Sequence, residues 1–165
     1  MKTSRLTLTP LATSDLEFMY RLNSDPNVMK YIREIDSKIS QTEKVISDML
    51  EYSKKFPGYG LWIARLSDNT PIGWGIVIHI DKNSENPIEV GYRLLEKFWG
   101  QGYATEITGA LLNYAKNKLK LNSLCAITLF DNLASQNVLL KSGFIKAGIR
   151  HYYQKDVLYF EKKPL

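Results

Sequence analysis

The sequence predicts an α/β fold, an α+β mixed sheet flanked by about four helices, in a single domain covering residues 1–165. Three observations carry that expectation. Ile88–Leu95 is a short, mostly apolar run with Val90, Tyr92 and Leu94 on one side, which reads as a buried strand. Directly after it, Ala104, Ile107, Leu111, Ala115 and Leu119 recur at spacings of three and four, marking one buried face of a long helix that starts near Tyr103. Two further pairs of β-rich runs, Gly60–Leu66 with Ile72–Ile80 and Phe144–Arg150 with Val157–Glu161, flank short polar turns and read as hairpins.

Along the chain, Arg5–Thr9 alternates Leu6 and Leu8 with polar residues, a short strand that Pro10 ends. Ser14 and Glu17 have capping-box spacing and open a helix to about Asn23. Asp25-Pro26-Asn27 is turn chemistry, and Val28–Ile35 fits a short helix followed by a loop. Ser40 and Glu43 form a second capping box, opening a helix to about Lys55 that Pro57-Gly58 stops. Gly73 and Gly75 inside a strand predict a bend or a close backbone approach. Asp81–Pro87 is a loop and Leu124–Leu129 a short strand. Asp131-Asn132 caps a helix to Ser142, with Gly143 where a left-handed C-terminal cap belongs.

Hydrophobic residues at 44% and charged residues at 24% are ordinary globular values. The net charge of +5 is spread over scattered lysines, which argues against a nucleic-acid face and suits a polyanionic ligand. The single cysteine, Cys125, excludes an internal disulfide framework and fits a reducing compartment. No signal peptide is apparent after Met1 and no apolar run approaches a membrane span, so the expectation is a cytoplasmic protein without a membrane partner. Two histidines and no cysteine cluster leave no metal constellation.

The loop Glu96–Gly102 carries Gly100 and Gly102 around Gln101. Glycine permits a sharp turn and close ligand approach. The first N–H groups of the following helix have no intrahelical partner and sit at the positive end of its dipole, a place suited to a phosphate or pyrophosphate. The loop lacks the Gly-Lys-Ser/Thr ending of a P-loop and the three glycines of a dinucleotide fingerprint. On its residues alone it is equally a plain strand-to-helix turn.

Trp99-Gly100-Gln101-Gly102-Tyr103-Ala104-Thr105-Glu106 resembles the acetyl-CoA loop of the GNAT superfamily of N-acetyltransferases, with Gly102 and Ala104 in its last two small positions. Trp99 followed by Gly-x-Gly-Tyr-Ala is similar to the branch containing ribosomal-protein N-terminal acetyltransferases. Asn132-Leu-Ala-Ser135-Gln-Asn137 and then Lys141-Ser-Gly143-Phe144 resemble the family's second block. The resemblance implies a mostly antiparallel sheet that splays between Ile88–Leu95 and Leu124–Leu129, with acetyl-CoA as co-substrate in the gap. It implies that backbone groups near Tyr92, Arg93 and Leu94 hold the pantetheine arm and that the N–H groups of Gly100–Ala104 hold the pyrophosphate. Trp99, Thr105, Asn132 and Ser135 complete the implied cofactor contacts, and Asn132 is at the same time a helix cap.

Transfer to an amine needs a base to take the ammonium proton and a donor for the leaving thiolate. Glu89, just before the splay, is the candidate base, with His79 on the adjacent strand as the substitute. Relatives place a tyrosine acid seven residues after the asparagine; here that position is Leu139. Ser135 is the candidate donor instead, with Tyr103, Tyr152 and Tyr153 as others, while Cys125 reads as core. The expected reaction is direct transfer from acetyl-CoA to a primary amine, first a peptide or protein α-amine. A small-molecule amine (amino acid, polyamine or aminoglycoside) and a non-catalytic acyl-CoA-binding module stay open. The acceptor walls are expected from Val28–Ser40 and the Gln154 loop. The C-terminal hairpin offers one sheet edge, partly blocked by Lys155, Lys162 and Lys163, which predicts a monomer or weak homodimer.

Overall fold

Continuous apolar runs, buried on both faces, build the middle of the sheet. In the structure, a computed structural model describing residues 1–165, the strands are β1 Thr7–Pro10, β2 Gly60–Arg65, β3 Pro71–His79, β4 Ile88–Leu94, β5 Leu124–Thr128, β6 Ile145–Tyr152 and β7 Lys155–Lys162. The helices are α1 Leu16–Asn23, α2 Pro26–Met29, α3 Ile39–Lys55, α4 Tyr103–Asn117 and α5 Leu133–Lys141. The seven strands form one sheet in the order β1-β2-β3-β4-β5-β7-β6. Every neighbouring pair is antiparallel except β4 and β5, which run parallel. Helix α4 is the crossover that a parallel pair requires.

Each face of the sheet buries a core. Val90 and Leu94 of β4 meet Ile107, Leu111 and Ala115 of α4 on one side. On the other, Trp74 and Ile78 of β3 meet Phe18 and Leu22 of α1 and Ile46 of α3. The close approach expected at the two β3 glycines is present at both. A Cβ on Gly75 would stand 2.7 Å from Ile107 Cγ2 and from Leu111 Cδ1, and one on Gly73 would stand 2.2 Å from the Arg93 carbonyl oxygen. A side chain at either position would push α4 or β4 away.

Both expected capping boxes are displaced. A 3-10 turn at Thr13–Asp15 precedes α1, and it is Asp15, not Glu17, that reaches back, accepting the Ala12 N–H at 2.9 Å. Asp15 also pairs with Arg65 across the sheet edge, a partner Glu17 lacks. In α3 the reciprocal contact is Gln41 accepting the Lys38 N–H at 2.9 Å, so the helix starts at Ile39 rather than after Ser40. The sheet edge also differs from expectation. Lys155 and Lys162 sit on β7, an inner strand, and the outer strand is β6 with Lys146 and Arg150. The β6–β7 turn holds Tyr153 and Gln154 at φ 51° and 60°. Two consecutive left-handed residues make the tight hairpin turn whose twist suits the flanking strands.

Candidate active site

β4 and β5 are paired at one register, Glu89 opposite Cys125. Beyond it β4 stays bonded to β3 and β5 to β7, so the two facing edges separate toward their C-terminal ends. A cleft of about 680 Å³ fills the gap. It is lined by Val90 and Tyr92, which face α4, and by Glu89, Gly91 and Arg93, which face the opposite side. The cleft therefore reaches both faces of the sheet. Asn132 and Ser135 of α5 stand at one mouth. Tyr31–Arg33 and Tyr153–Lys155 wall the other, and Lys155 Nζ donates to the Ile32 carbonyl at 3.2 Å, joining the two walls.

Glu89 is 7% exposed and has no basic partner within ion-pair distance. Tyr153 Oη donates to Glu89 Oε2 at 2.9 Å. Burial raises the Glu89 carboxyl from its ordinary range to about 7, the Tyr153 hydrogen bond opposes that rise, and the nearby Asp81 charge adds to it. A carboxylate near neutrality in a half-apolar cleft is matched to proton abstraction at physiological pH.

On the α5 side, Tyr92 Oη donates to Ser135 Oγ at 3.1 Å. Asn132 caps α5 by accepting the Ser135 N–H at 3.1 Å, which fixes the serine on the first turn. Burial pushes the Tyr92 hydroxyl above its usual range, so it stays a donor. Because Tyr92 donates to it, the serine's own hydrogen is free for another acceptor. Leu139, where relatives have a tyrosine, is buried and lines the cleft. Tyr92 thus supplies a phenol close to the place from which the sequence pattern removes one.

β4 leads from the cleft to the glycine loop. Leu94 is buried in the core, and its carbonyl accepts Trp99 Nε1–H at 2.9 Å, folding a half-exposed indole over the strand end. Gly100 and Gly102 are left-handed, with φ 72° and 82°. A Cβ on Gly100 would meet nothing within 4 Å, so the surface above it is open. Gln101 Nε2 donates to the Lys97 carbonyl at 2.8 Å. Tyr103, Ala104 and Thr105 form the first turn of α4. The Arg5 guanidinium lies 4.2 Å over the Tyr103 ring, donates to the Gln101 carbonyl at 3.0 Å and pairs with Glu106. The loop is thereby fixed from the N-terminal segment, with a cation beside its amides. Loop, splay and α5 cap fit a phosphate-bearing thioester: open amides at one end, unladdered strand edges in the middle and polar groups beyond.

His79 does not reach the cleft. Its Nδ1 is 2.7 Å from Tyr52 Oη, and its ring stacks on Tyr59. This aromatic cage at the end of α3 removes it as a substitute base. Tyr103 belongs to the loop and Tyr152 packs near Tyr159, leaving Tyr153 as the cleft member of the three tyrosines. Cys125 is buried, with its thiol pushed up to about 12 by burial and the neighbouring Glu89 charge, which makes it a poor nucleophile.

Sequence reasoning missed the Arg93 side chain and Trp74. They face each other across β3 and β4, and the guanidinium carbon is 4.6 Å over the indole ring. An arginine on the same strand face as Glu89, opposite a tryptophan flanked by two glycines, is the signal that could have found them.

The profile of the acetyltransferase (GNAT) domain matches residues 5–145. FsC-acetyl coenzyme A-N(2)-transacetylase of Aspergillus fumigatus is 31% identical over 152 residues, 87% of this chain and 63% of that protein, so the chain spans somewhat under two thirds of that relative. Among solved structures, RimL, a ribosomal L7/L12 α-N-protein acetyltransferase in complex with coenzyme A, superposes with a TM-score of 0.80 at 17% identity, covering 98% of this chain and 96% of that one. The spermidine N-acetyltransferase of Vibrio cholerae, in complex with coenzyme A and spermine, gives 0.81 at 20%, covering 98% and 97%. The two structural likenesses show the fold; the profile match over most of the chain shows the lineage. The chain belongs to the GNAT family of acetyltransferases.

Proposed function

We propose that this N-acetyltransferase passes the acetyl group of acetyl-CoA directly to a primary amine held in the cleft, with Glu89 as general base and Ser135, backed by Tyr92, as donor to the leaving thiolate. The carrying observation is the buried Glu89 carboxyl, held near pH 7 at the point where β4 and β5 part. Acetyl-CoA supplies an activated acetyl thioester. Glu89 takes the ammonium proton, directly or through one water, and so frees the nitrogen lone pair. As the C–N bond forms and the C–S bond breaks, the nitrogen gives up its second proton through solvent to the leaving thiolate, to whose sulfur the Ser135 hydroxyl donates a hydrogen bond while Tyr92 donates to Ser135. The amides of Gly100–Ala104 bind the pyrophosphate and the β4 edge from Tyr92 to Leu94 holds the pantetheine arm, with Trp99, Gln101, Thr105 and Asn132 around them.

The preferred acceptor is a peptide or protein α-amine. Support comes from the exposed walls at Ile32, Arg33 and Tyr153–Lys155, along which a chain could continue outward. A small-molecule amine is the second reading, supported by the spermidine N-acetyltransferase that shares the fold. The test is thiol release from acetyl-CoA across free-amine peptides, amino acids, polyamines and aminoglycosides. Rapid release with peptides is expected. Tight coenzyme A binding with no release for any amine would leave a cofactor-sensing module.

A further inference from the structure

Three buried side-chain polar atoms have no hydrogen-bond partner: Trp74 Nε1, Arg93 Nε and Thr128 Oγ1. All three residues line the same cleft. Such atoms are rare in folded proteins because leaving one dry and unpaired is costly. Two of them, on the acceptor side of β4, are N–H groups that can donate and cannot accept. They belong to cross-strand partners with stacked side chains.

The Arg93 charge is also unanswered by a carboxylate in contact. Its Nη1 donates to the neutral Asn23 Oδ1 at 2.6 Å. Asp36, whose charge reaches Arg93, is occupied by Arg33, Asn23 and Thr42. Around the pair the other charged cleft residues are Glu89, Asp81, Arg33 and Lys155. The carboxylates Glu89 and Asp81 suit the amine end of an acceptor. The Trp74–Arg93 pair, further along the same strand face, suits an oxygen.

Resting on the acetyltransferase reading above, we propose that Trp74 Nε1–H and Arg93 Nε–H bind the carbonyl or carboxylate oxygen adjacent to the acceptor amine, so that the substrate class is aminoacyl amines. An α-amine next to a peptide carbonyl and a free amino acid share this chemistry. Polyamines and simple alkylamines lack it.

The test compares kcat/KM, corrected to the neutral amine, for phenethylamine, L-phenylalaninamide and L-phenylalanine, which share a side chain and differ in the oxygen group. The parent should favour at least one oxygen-bearing member over phenethylamine by ~10-fold or more, since sites built to hydrogen-bond a group discriminate against analogues lacking it. Preference for the amide assigns a peptide-like acceptor, and preference for the acid assigns a free carboxylate. Arg93→Met and, independently, Trp74→Phe should shrink that ratio toward one, with the loss appearing in KM more than in kcat. Trp74→Phe keeps an aromatic ring under Arg93, so it guards against a folding failure of Arg93→Met. A parental ratio near one, or a ratio unchanged in both variants, overturns the proposal. The latter outcome includes the case where the two donors serve the thioester oxygen and all amines slow equally. Release with every amine but no preference sinks this inference alone. No release with any amine, while coenzyme A still raises the melting temperature, sinks the catalytic reading and this one with it.

Discussion

Glu89→Gln removes a titrating charge while keeping the shape of the side chain, and it should make the protein more stable and less active at once. In the parent the carboxyl stands at about 7 against an ordinary 4.5. The folded chain therefore binds more protons than the unfolded chain between these two values. With that sign, parent stability falls as pH rises from 4.5 to 7, and the cost is fully present above 7. The interval between 4.5 and 7, at about 1.4 kcal/mol per pH unit, corresponds to ~3 kcal/mol. Glutamine does not titrate, and its bond from Tyr153 contributes equally at every pH. The advantage of the variant over the parent should thus grow by ~3 kcal/mol between pH 4.5 and pH 8, roughly 6–12 °C in melting temperature for a chain of this size. Thermal melts of both proteins without cofactor, across that range, measure it. In parallel, the acetylation rate at pH 7 should drop by roughly 10²–10⁴-fold, the usual worth of a general base. The loss should shrink at high pH, where the amine is already neutral, and coenzyme A affinity should hold. A constant stability difference across pH would refute the buried, proton-holding carboxyl. A near-parental rate at pH 7 would remove Glu89 from the mechanism and leave positioning of amine and thioester as the main source of rate.

Gly102→Val puts a β-branched residue at φ 82°, a conformation L side chains rarely adopt. Coenzyme A at a hundredfold excess over Kd should stabilise the parent by ~2.7 kcal/mol in a thermal shift; the variant should fold and lose most of that shift, and retained binding would show that the loop amides do not hold the cofactor. Tyr92→Phe and Ser135→Ala should each slow single-turnover transfer by ~10-fold or more, and the double variant should be no slower than the worse single one because the two hydroxyls act in series; multiplicative losses would show independent roles. The β6 edge exposes Ile145 and Ile149, each next to a cation (Lys146 and Arg150), so a concentration series in light scattering should show a monomer or a weak dimer, and a stable tetramer would contradict that reading.

What was legible in the sequence is what lies close together along the chain. The Ile88–Leu95 run, the glycines and the helix face at Ile107, Leu111 and Ala115 sit within one unit, so strand, loop and helix can be read from spacing. The place of Glu89 on that strand, just before the splay, was legible for the same reason. Its proton affinity was not, because it depends first on burial in the folded cleft and then on the opposing hydrogen bond from Tyr153, sixty-four residues away on a hairpin turn. The Tyr92–Ser135 bond and the Trp74–Arg93 stack likewise depend on register and on where β4 and β5 part. The caps failed for a local reason with a distant cause. Asp15 outcompetes Glu17 because it can satisfy the Ala12 amide and Arg65 together. His79 looked chemical in isolation and proves structural because Tyr52 and Tyr59 close around it.

Two buried carboxylates show why the cleft, and not the rest of the interior, reads as a site. Burial alone would raise Asp36, but Arg33, Thr42 and Asn23 bind it and hold it below the usual carboxylate range. Its contribution is present above the ordinary value and is lost as pH falls, the behaviour of a structural anchor tying α1 to α3. Glu89 has one phenol, no cation and an acidic neighbour, and it moves the other way. Arg93 completes the contrast, since burial and the Arg33 charge push its guanidinium down to about 9 against the opposing Asp36 charge, with a neutral amide in contact. A chain that fully pairs Asp15 and Asp36 has the means to pair buried charge. Leaving Glu89, Arg93 and the neighbouring indole N–H underpaired within one cleft lowers the stability of the free protein, a cost that the acceptor proposed above, with its amine and oxygen together, would reduce.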